Sequence, residues 1–315
     1  MRSRPPLPGA AVAALACPVC TAALAVDGDV LRCPAGHAYD RARQGHVTLL
    51  PPGHRPPSGD SAEMVADRAS FLAAGHYAGV TAALGDAVTA GEGRQPEVLL
   101  DLGGGTGHHL AAVLARVPAA AGVVLDSSTY AARRAARAHP RAMAVVADTW
   151  ARLPVRDEAV DRVLVVFAPR NGAEIARVLR PDGRLVVVTP APDHLGELVG
   201  PLGLLRVDPD KSARLAASLE PHLRRLSTTA HRERLRLDRA AVGTLVGMGP
   251  HARHLSGEQL AGRLAVLPDP VEVTVAVEVA VYGRPGRGPD DVRAAREPVR
   301  GAPGHARGRD GGGLV

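Results

Sequence analysis

Val98-Leu-Leu-Asp101-Leu-Gly103-Gly-Gly105-Thr-Gly107 is a short apolar run that ends in an acid and passes into a cluster of glycines. Such a run, followed at once by glycines and then by a helical pattern, predicts a buried strand, a tight turn and the start of a helix. The glycines let the backbone turn sharply and approach a ligand closely. Dinucleotide sites use the same turn, with the pyrophosphate at the helix N-terminus. Asp101 shifts the reading, because a carboxylate beside the loop repels a phosphate but suits a cation, such as the amino group of S-adenosylmethionine (SAM). The next strand ends in Val124-Leu125-Asp126, where an acid accepts hydrogen bonds from ribose hydroxyls. A third acid, Asp148, ends Val146-Ala-Asp148 and is placed to meet an adenine amino group. Three acids at three successive strand ends have the outline of a nucleoside. The reading is SAM, with Gly103, Gly105, Gly107, Asp101, Asp126 and Asp148 as cofactor residues. The alternatives are NAD or three unrelated helix caps.

Further apolar runs lie at Met143–Ala147, Arg162–Phe167 and Leu185–Thr189, separated by Ala/Arg-rich stretches at 107–117, 130–138 and 172–179. Short strands alternating with helices predict a mostly parallel sheet covered on both faces. Val271 to Val281 alternates strictly and reads as a half-exposed, antiparallel final strand. After the fourth strand, Phe167-Ala-Pro169 occupies the loop where class I methyltransferases approach their acceptor, and Phe167 is counted with the cofactor site. An ordinary strand end terminated by proline is the plainer reading. Residues 96–282 form the predicted Rossmann-like SAM-dependent methyltransferase domain.

The N-terminal region follows a different pattern. Residues 1–14, with Pro5, Pro6 and Pro8, read as a disordered leader, and the prolines break any resemblance to a signal peptide. Cys17-Pro-Val-Cys20 and Cys33-Pro-Ala-Gly-His37 place three thiolates and an imidazole on two turns. That set closes a tetrahedral shell with no open position, as structural zinc requires. Residues 15–50 are therefore a zinc-binding module, with His46 and His54 as spare candidates for the fourth ligand. The segment 51–95 contains a Pro/Gly-rich linker to residue 60, then two helices around Gly75. Residues 283–315 carry seven arginines and four acids with little to bury, and read as a disordered tail.

The 315 residues include 46% hydrophobic and 22% charged side chains, which permits a core and excludes global disorder. Three cysteines exclude a disulfide scaffold and suit a reducing cytoplasm. No run approaches the roughly 18 apolar residues of a membrane helix. The net charge of +6 is nearly all arginine, Lys211 being the sole lysine; a high-GC genome also favours arginine. Arg224, Arg225, Arg232, Arg234, Arg236 and Arg239 form the densest basic run, and Arg41 and Arg43 flank the cysteines. They are candidate phosphate contacts, against the plainer reading of solvated charge. Aromatics at 2% leave few rings for stacking on bases.

Several segments have no place in a generic methyltransferase. They are Gln44-Gly-His-Val-Thr-Leu-Leu50-Pro51, Gly59-Asp60-Ser-Ala-Glu63-Met64 and Arg68-Ala-Ser-Phe71-Leu72-Ala-Ala-Gly75-His76-Tyr77. Thr189-Pro-Ala-Pro192-Asp-His194-Leu195 and, more weakly, Met248-Gly-Pro250 join them. With the two cysteine motifs, they make residues 15–282 resemble the bacterial 23S rRNA (guanine-N1)-methyltransferases, a family that includes tylosin-type macrolide-resistance enzymes. His46 stands where that family usually has an aromatic. The resemblance implies a zinc module that helps hold an RNA hairpin and often a homodimer. It also implies 1-methylguanine in a 23S rRNA hairpin loop near the peptide exit tunnel as product. A small-molecule methyltransferase with a zinc appendage is the alternative. Guanine N1 loses a proton in the reaction. His76, Asn171, His194 and Asp193 are candidate general bases, each with a structural role as its plainer reading. His76 and Tyr77 could instead cap the SAM pocket.

Overall fold

The computed structural model describes residues 6–56, 59–90, 95–204, 211–249 and 256–285. Regular structure begins inside the expected leader. Helix α1 (Gly9–Ala13) follows Pro8, whose fixed φ suits the residue before a helix. Ala11 and Leu15 are fully buried. The leader expectation thus fails over residues 6–14, since Ala11, Val12 and Leu15 are an apolar run that packs on the main core. Residues 1–5 lie outside the described residues.

Strands β1 (Ala25–Asp27), β2 (Val30–Arg32) and β3 (Ala38–Asp40) form a small antiparallel sheet. Strand β4 (Val47–Thr48) leaves it. After an irregular linker, helix α2 (Ala62–Ala73) starts at Ser61, whose hydroxyl accepts the Met64 N–H. Gly75, at φ +81°, turns the chain towards helix α3 (Ala78–Thr89).

The main sheet then builds from β5 (Val98–Leu102), α4 (His108–Arg116), β6 (Ala121–Asp126), α5 (Thr129–Ala135) and β7 (Ala142–Val146). It continues with β8 (Val160–Val166), α6 (Gly172–Val178), β9 (Leu179–Pro190), α7 (Gly196–Leu202) and α8 (Lys211–Leu219). The last elements are β10 (Arg224–Leu237), α9 (Arg239–Gly247), α10 (Gly257–Ala265) and β11 (Val271–Gly283). Strand order is β10-β11-β9-β8-β5-β6-β7-β4, with β4 to β9 parallel and β10 and β11 antiparallel. Crossover helices can join parallel neighbours only by covering the faces, so the parallel strands are buried on both faces, whereas β10 is largely exposed. Leu99 packs into one core, and Val98, Leu100 and Leu102 into the other.

Two details differ from expectation. Strand β11 lies between β9 and β10 and is buried on both faces for most of its length, not half-exposed. Of its alternate positions Thr274, Ala276 and Tyr282 are buried, and Thr274 buries by donating from both backbone N–H and hydroxyl to the Glu197 carboxylate, at 3.0 and 2.6 Å. The cysteine module is also no separate body: Cys17, Leu24, Leu31 and Cys33 share a core with Leu100, Val123 and Val145, and β4 pairs with β7. The expected disordered tail falls, from residue 286 on, outside the described residues. Among the described residues no helix is long and apolar enough to cross a membrane.

Candidate functional site

Strands β5, β6 and β7 are neighbours, so their C-terminal ends bring Asp101, Asp126 and Asp148 to one edge of the sheet. They line a cleft of about 590 Å³. Asp101 is 1% exposed, and neither carboxylate oxygen has a hydrogen-bond partner. Burial, and then the neighbouring Asp126 carboxylate, push its carboxyl up to about 7. An unpaired buried carboxylate is costly unless a cation answers it. The amino group of SAM supplies that cation, so the donor set fits the cofactor.

The glycine loop is shaped around these acids. A Cβ on Gly104 would lie 2.5 Å from Asp101 Oδ2, and one on Gly103 would lie 2.6 Å from the Ala168 Cβ. Gly105 donates its N–H to Asp126 Oδ2 at 2.9 Å, and Ser128 N–H donates to Oδ1 at 2.8 Å. That loop amide is therefore spent on the protein's own carboxylate and not offered to a pyrophosphate, which disfavours a dinucleotide. Burial raises the Asp126 carboxyl, opposed by these two N–H donors. Gly103 and Gly105 line the cleft, while Gly107, at φ +76°, does not and serves as the N-cap of α4. Asp148 Oδ1 accepts from Trp150 N–H, and Oδ2 meets His54 Nε2, both at 2.8 Å.

His54 is thus no zinc ligand. His46, 5% exposed, is a buried core residue whose pKa is lowered by burial and by Arg133. The segment around 59–77, singled out for its sequence, forms a wall of the cleft through Gly59, Asp60, Met64, Arg68, Leu72 and Tyr77. Ser128 Oγ donates to the Asp60 carbonyl at 2.7 Å, and Arg68 joins the Asp60 carboxylate to the Met248 carbonyl, the latter at 2.8 Å. The sequence marks neither Asp60, Arg68 nor Trp150 as a cleft residue, and it offers His54 only as a spare zinc ligand. The 59–77 motif was the one signal that could have found Asp60 and Arg68. Nothing local marks His54 within its Pro/Gly-rich linker.

A second, apolar chamber of about 290 Å³ adjoins the cleft and shares Arg68, Tyr77, Phe167 and Met248 with it. Phe167 holds φ +53°, uncommon for a bulky residue, and is 41% exposed. Strain of this kind clusters at functional sites. His194 lines this chamber, with Nε2 3.4 Å from the Tyr77 hydroxyl and Nδ1 accepting the Ala276 N–H at 3.2 Å. Burial lowers its pKa to about 4, opposed by the Asp193 charge. Asp193 pairs with Arg232. The other base candidates are not brought here. His76 stacks on Phe71, 4.7 Å between centroids. Asn171 caps α6, accepting Glu174 N–H and donating to the Trp150 carbonyl at 3.0 Å. Neither lines either chamber.

The metal centre is built as its spacing predicts. The donor atoms of Cys17, Cys20, Cys33 and His37 all lie within 4.8 Å of one another, and the cysteines form no disulfide. Cys20 and Cys33 sulfurs are 3.6 Å apart, and His37 Nδ1 is 3.6 Å from Cys17 Sγ and 3.3 Å from Cys33 Sγ. Sulfurs of a tetrahedral zinc shell stand about 3.8 Å apart, so the set fits. Tyr39 places its hydroxyl 3.0 Å from Cys17 Sγ. Burial raises the Cys17 thiol, but the Tyr39 hydroxyl and the Cys20 and Val19 amides outweigh it and bring it to about 6. A thiolate is the form that binds a metal.

On the basic strand β10, Arg232 pairs with Asp193 and Arg234 with Glu272 at 3.6 Å, while Arg239, at the start of α9, donates to the Leu267 carbonyl. Arg224, Arg225 and Arg236 are exposed and show no carboxylate partner among the described residues. Arg41 donates to the Gly45 carbonyl. Arg43 is exposed.

The family profile for a zinc ribbon, described as "RlmA, N-terminal", matches residues 15–56, and "Methyltransferase domain" matches 99–183. A Micromonospora griseorubida protein named as a 23S rRNA (guanine-N(1)-)-methyltransferase is 54% identical, over 85% of this chain and 96% of that one. The 23S rRNA (guanine(748)-N(1))-methyltransferase of Streptomyces fradiae is 50% identical, over 85% and 95%. YxjB of Bacillus subtilis, named for the same reaction, is 33% identical, over 58% and 66%.

Proposed function

Because the chain belongs to the family of 23S rRNA (guanine-N1)-methyltransferases, we propose that it methylates N1 of a guanine in a hairpin loop of 23S rRNA near the peptide exit tunnel. The observation that carries the cofactor half is the orphaned Asp101 carboxylate beside Asp126 and Asp148 in one cleft. When bound, SAM supplies a methyl group activated on a sulfonium. Asp101 holds the amino group, Asp126 the ribose hydroxyls and Asp148 the adenine end. Phe167, 41% exposed and shared by the two chambers, is an aromatic face against which an extruded base can stack. Positioning the base in line for transfer removes much of the entropic barrier.

The zinc ribbon, Arg43 and the unpaired arginines of β10 supply the RNA's phosphate contacts. With so few rings, recognition rests on arginine and shape more than on stacking. The protein acts in the cytoplasm, where ribosomal RNA is, and assembles as a homodimer, which sedimentation would test. Protection against tylosin-type macrolides follows if the methyl group lies in their path. The test is incubation with labelled SAM and 23S rRNA from a strain lacking the enzyme. The expected outcome is label recovered as 1-methylguanosine. Label confined to small molecules or protein would overturn the reading.

A further inference from the structure

Strand β9 stops pairing with β11 at Pro190, opposite Val277. The next amide of β11, on Ala276, donates to His194 Nδ1 at 3.2 Å. That contact fixes the tautomer, since a nitrogen that accepts a backbone N–H carries no proton. The buried ring is neutral, its pKa lowered to about 4 chiefly by desolvation. Its one proton therefore sits on Nε2, which faces the Tyr77 hydroxyl at 3.4 Å. His194 is a donor here and cannot serve as the base that accepts a proton from the substrate.

The polarity continues. The Tyr77 oxygen accepts from His194, so its own hydrogen is free to point away from the ring. Tyr77 lies on the wall shared by the two chambers. The charged groups around the pair are Arg68, Glu233 of β10, and Asp193, itself paired with Arg232. Among the described residues, no carboxylate lines the second chamber.

We propose that the Tyr77 hydroxyl, oriented by His194, donates a hydrogen bond to O6 of the guanine held in the second chamber. The proposal rests on guanine N1 as the acceptor. When N1 loses its proton to water, the electron pair left behind spreads over N1, C6 and O6. N1 then bonds the methyl carbon, and the pair of the broken sulfur–carbon bond stays on sulfur. A donor aimed at O6 stabilises the charge as it forms and so favours deprotonated N1, with no general base at the site.

The test is the single-turnover rate of 1-methylguanosine formation on 23S rRNA, followed from about pH 6.5 to 9, beside calorimetric binding of S-adenosylhomocysteine. Tyr77→Phe should lower the rate at neutral pH about a hundredfold. It should recover as pH rises, with the ascending limb displaced by up to about two units, the same hundredfold read along the pH axis. His194→Ala should do likewise, while His194→Gln, which keeps a donor near Nε2, should retain most of the rate. Binding of S-adenosylhomocysteine should hold in all three. If Tyr77→Phe has lost that binding, the His194 pair decides by the same profile. A rate unchanged by the variants, or lowered equally at every pH, overturns the proposal. A wild-type protein that forms no 1-methylguanosine overturns the reading beneath it instead.

Discussion

The metal centre and the cofactor cleft are both clusters of groups that attract a cation, and they are relieved in opposite ways. Around the metal, three thiols and an imidazole crowd within 4.8 Å on turns of a small sheet with few apolar residues of its own. Only a cation can hold them together, so binding there is part of folding. At the cleft the acids stand on the ends of separate strands in a well-packed sheet. Asp126 and Asp148 are satisfied by backbone amides and His54, and Asp101 alone is left open. There the strands are held by their own core, and Asp101 offers the unmet contact to the cofactor. One site shows where a structure needs an ion to exist, the other where it reserves a place for a molecule that comes and goes.

The contrast breaks first at Cys17→Ser. It should abolish zinc binding and unfold the ribbon, a change larger than any at the cleft. Metal analysis near one ion per chain in the wild type and none in the variant checks this, with thermal melting as the second readout. Next is Asp101→Asn. SAM affinity should fall on the order of a hundredfold by calorimetry, while zinc content stays whole. The pH dependence sharpens the case. The folded pKa near 7 lies above the ordinary value of about 3.9, so between those values the native state binds the extra proton. Ligand-free stability should therefore fall as pH rises from about 4 to 7, and Asp101→Asn should flatten that slope. Cofactor binding, which needs the carboxylate ionised, should strengthen through the same upper range. His54→Ala tests a contact that joins the linker after the ribbon to Asp148 in the cleft. A drop in SAM affinity of less than about tenfold is expected, since the imidazole is a third exposed. The smallest effect belongs to Arg236→Ala on β10. Hairpin RNA binding should weaken uniformly and the slope of log affinity against log salt should drop by about one.

Much of both sites was legible because their chemistry follows sequence spacing. Cys17, Cys20, Cys33 and His37 declare a shell within 21 residues, and Asp101, Asp126 and Asp148 each close an apolar run. What stayed hidden depends on contacts between distant segments. The Ala11–Leu15 stretch reads as loose because its prolines are local and its partner, the sheet face, is not. Strand β11 reads as half-exposed because Glu272 and Glu278 mark its alternate face, while Thr274 and Ala276 look neutral until a partner covers them. His54 meets Asp148 across 94 residues, and no periodicity encodes that. For His194 the residue was visible but its role was not, since the tautomer is set by the amide of Ala276.

Strand β4 is only Val47–Thr48, yet it is the outermost strand of the large sheet. It pairs with Val145 and Val146 of β7, whose sequence Ala142-Met-Ala-Val-Val146 is apolar throughout and carries no charge. A strand of that kind with an open edge is a template for pairing between chains. The opposite edge, β10, is defended by its exposed arginines, whereas the β7 edge is covered by β4, which follows the metal ligands in the chain. A chelator should leave this protein prone to aggregate through β7 before it harms the cofactor cleft.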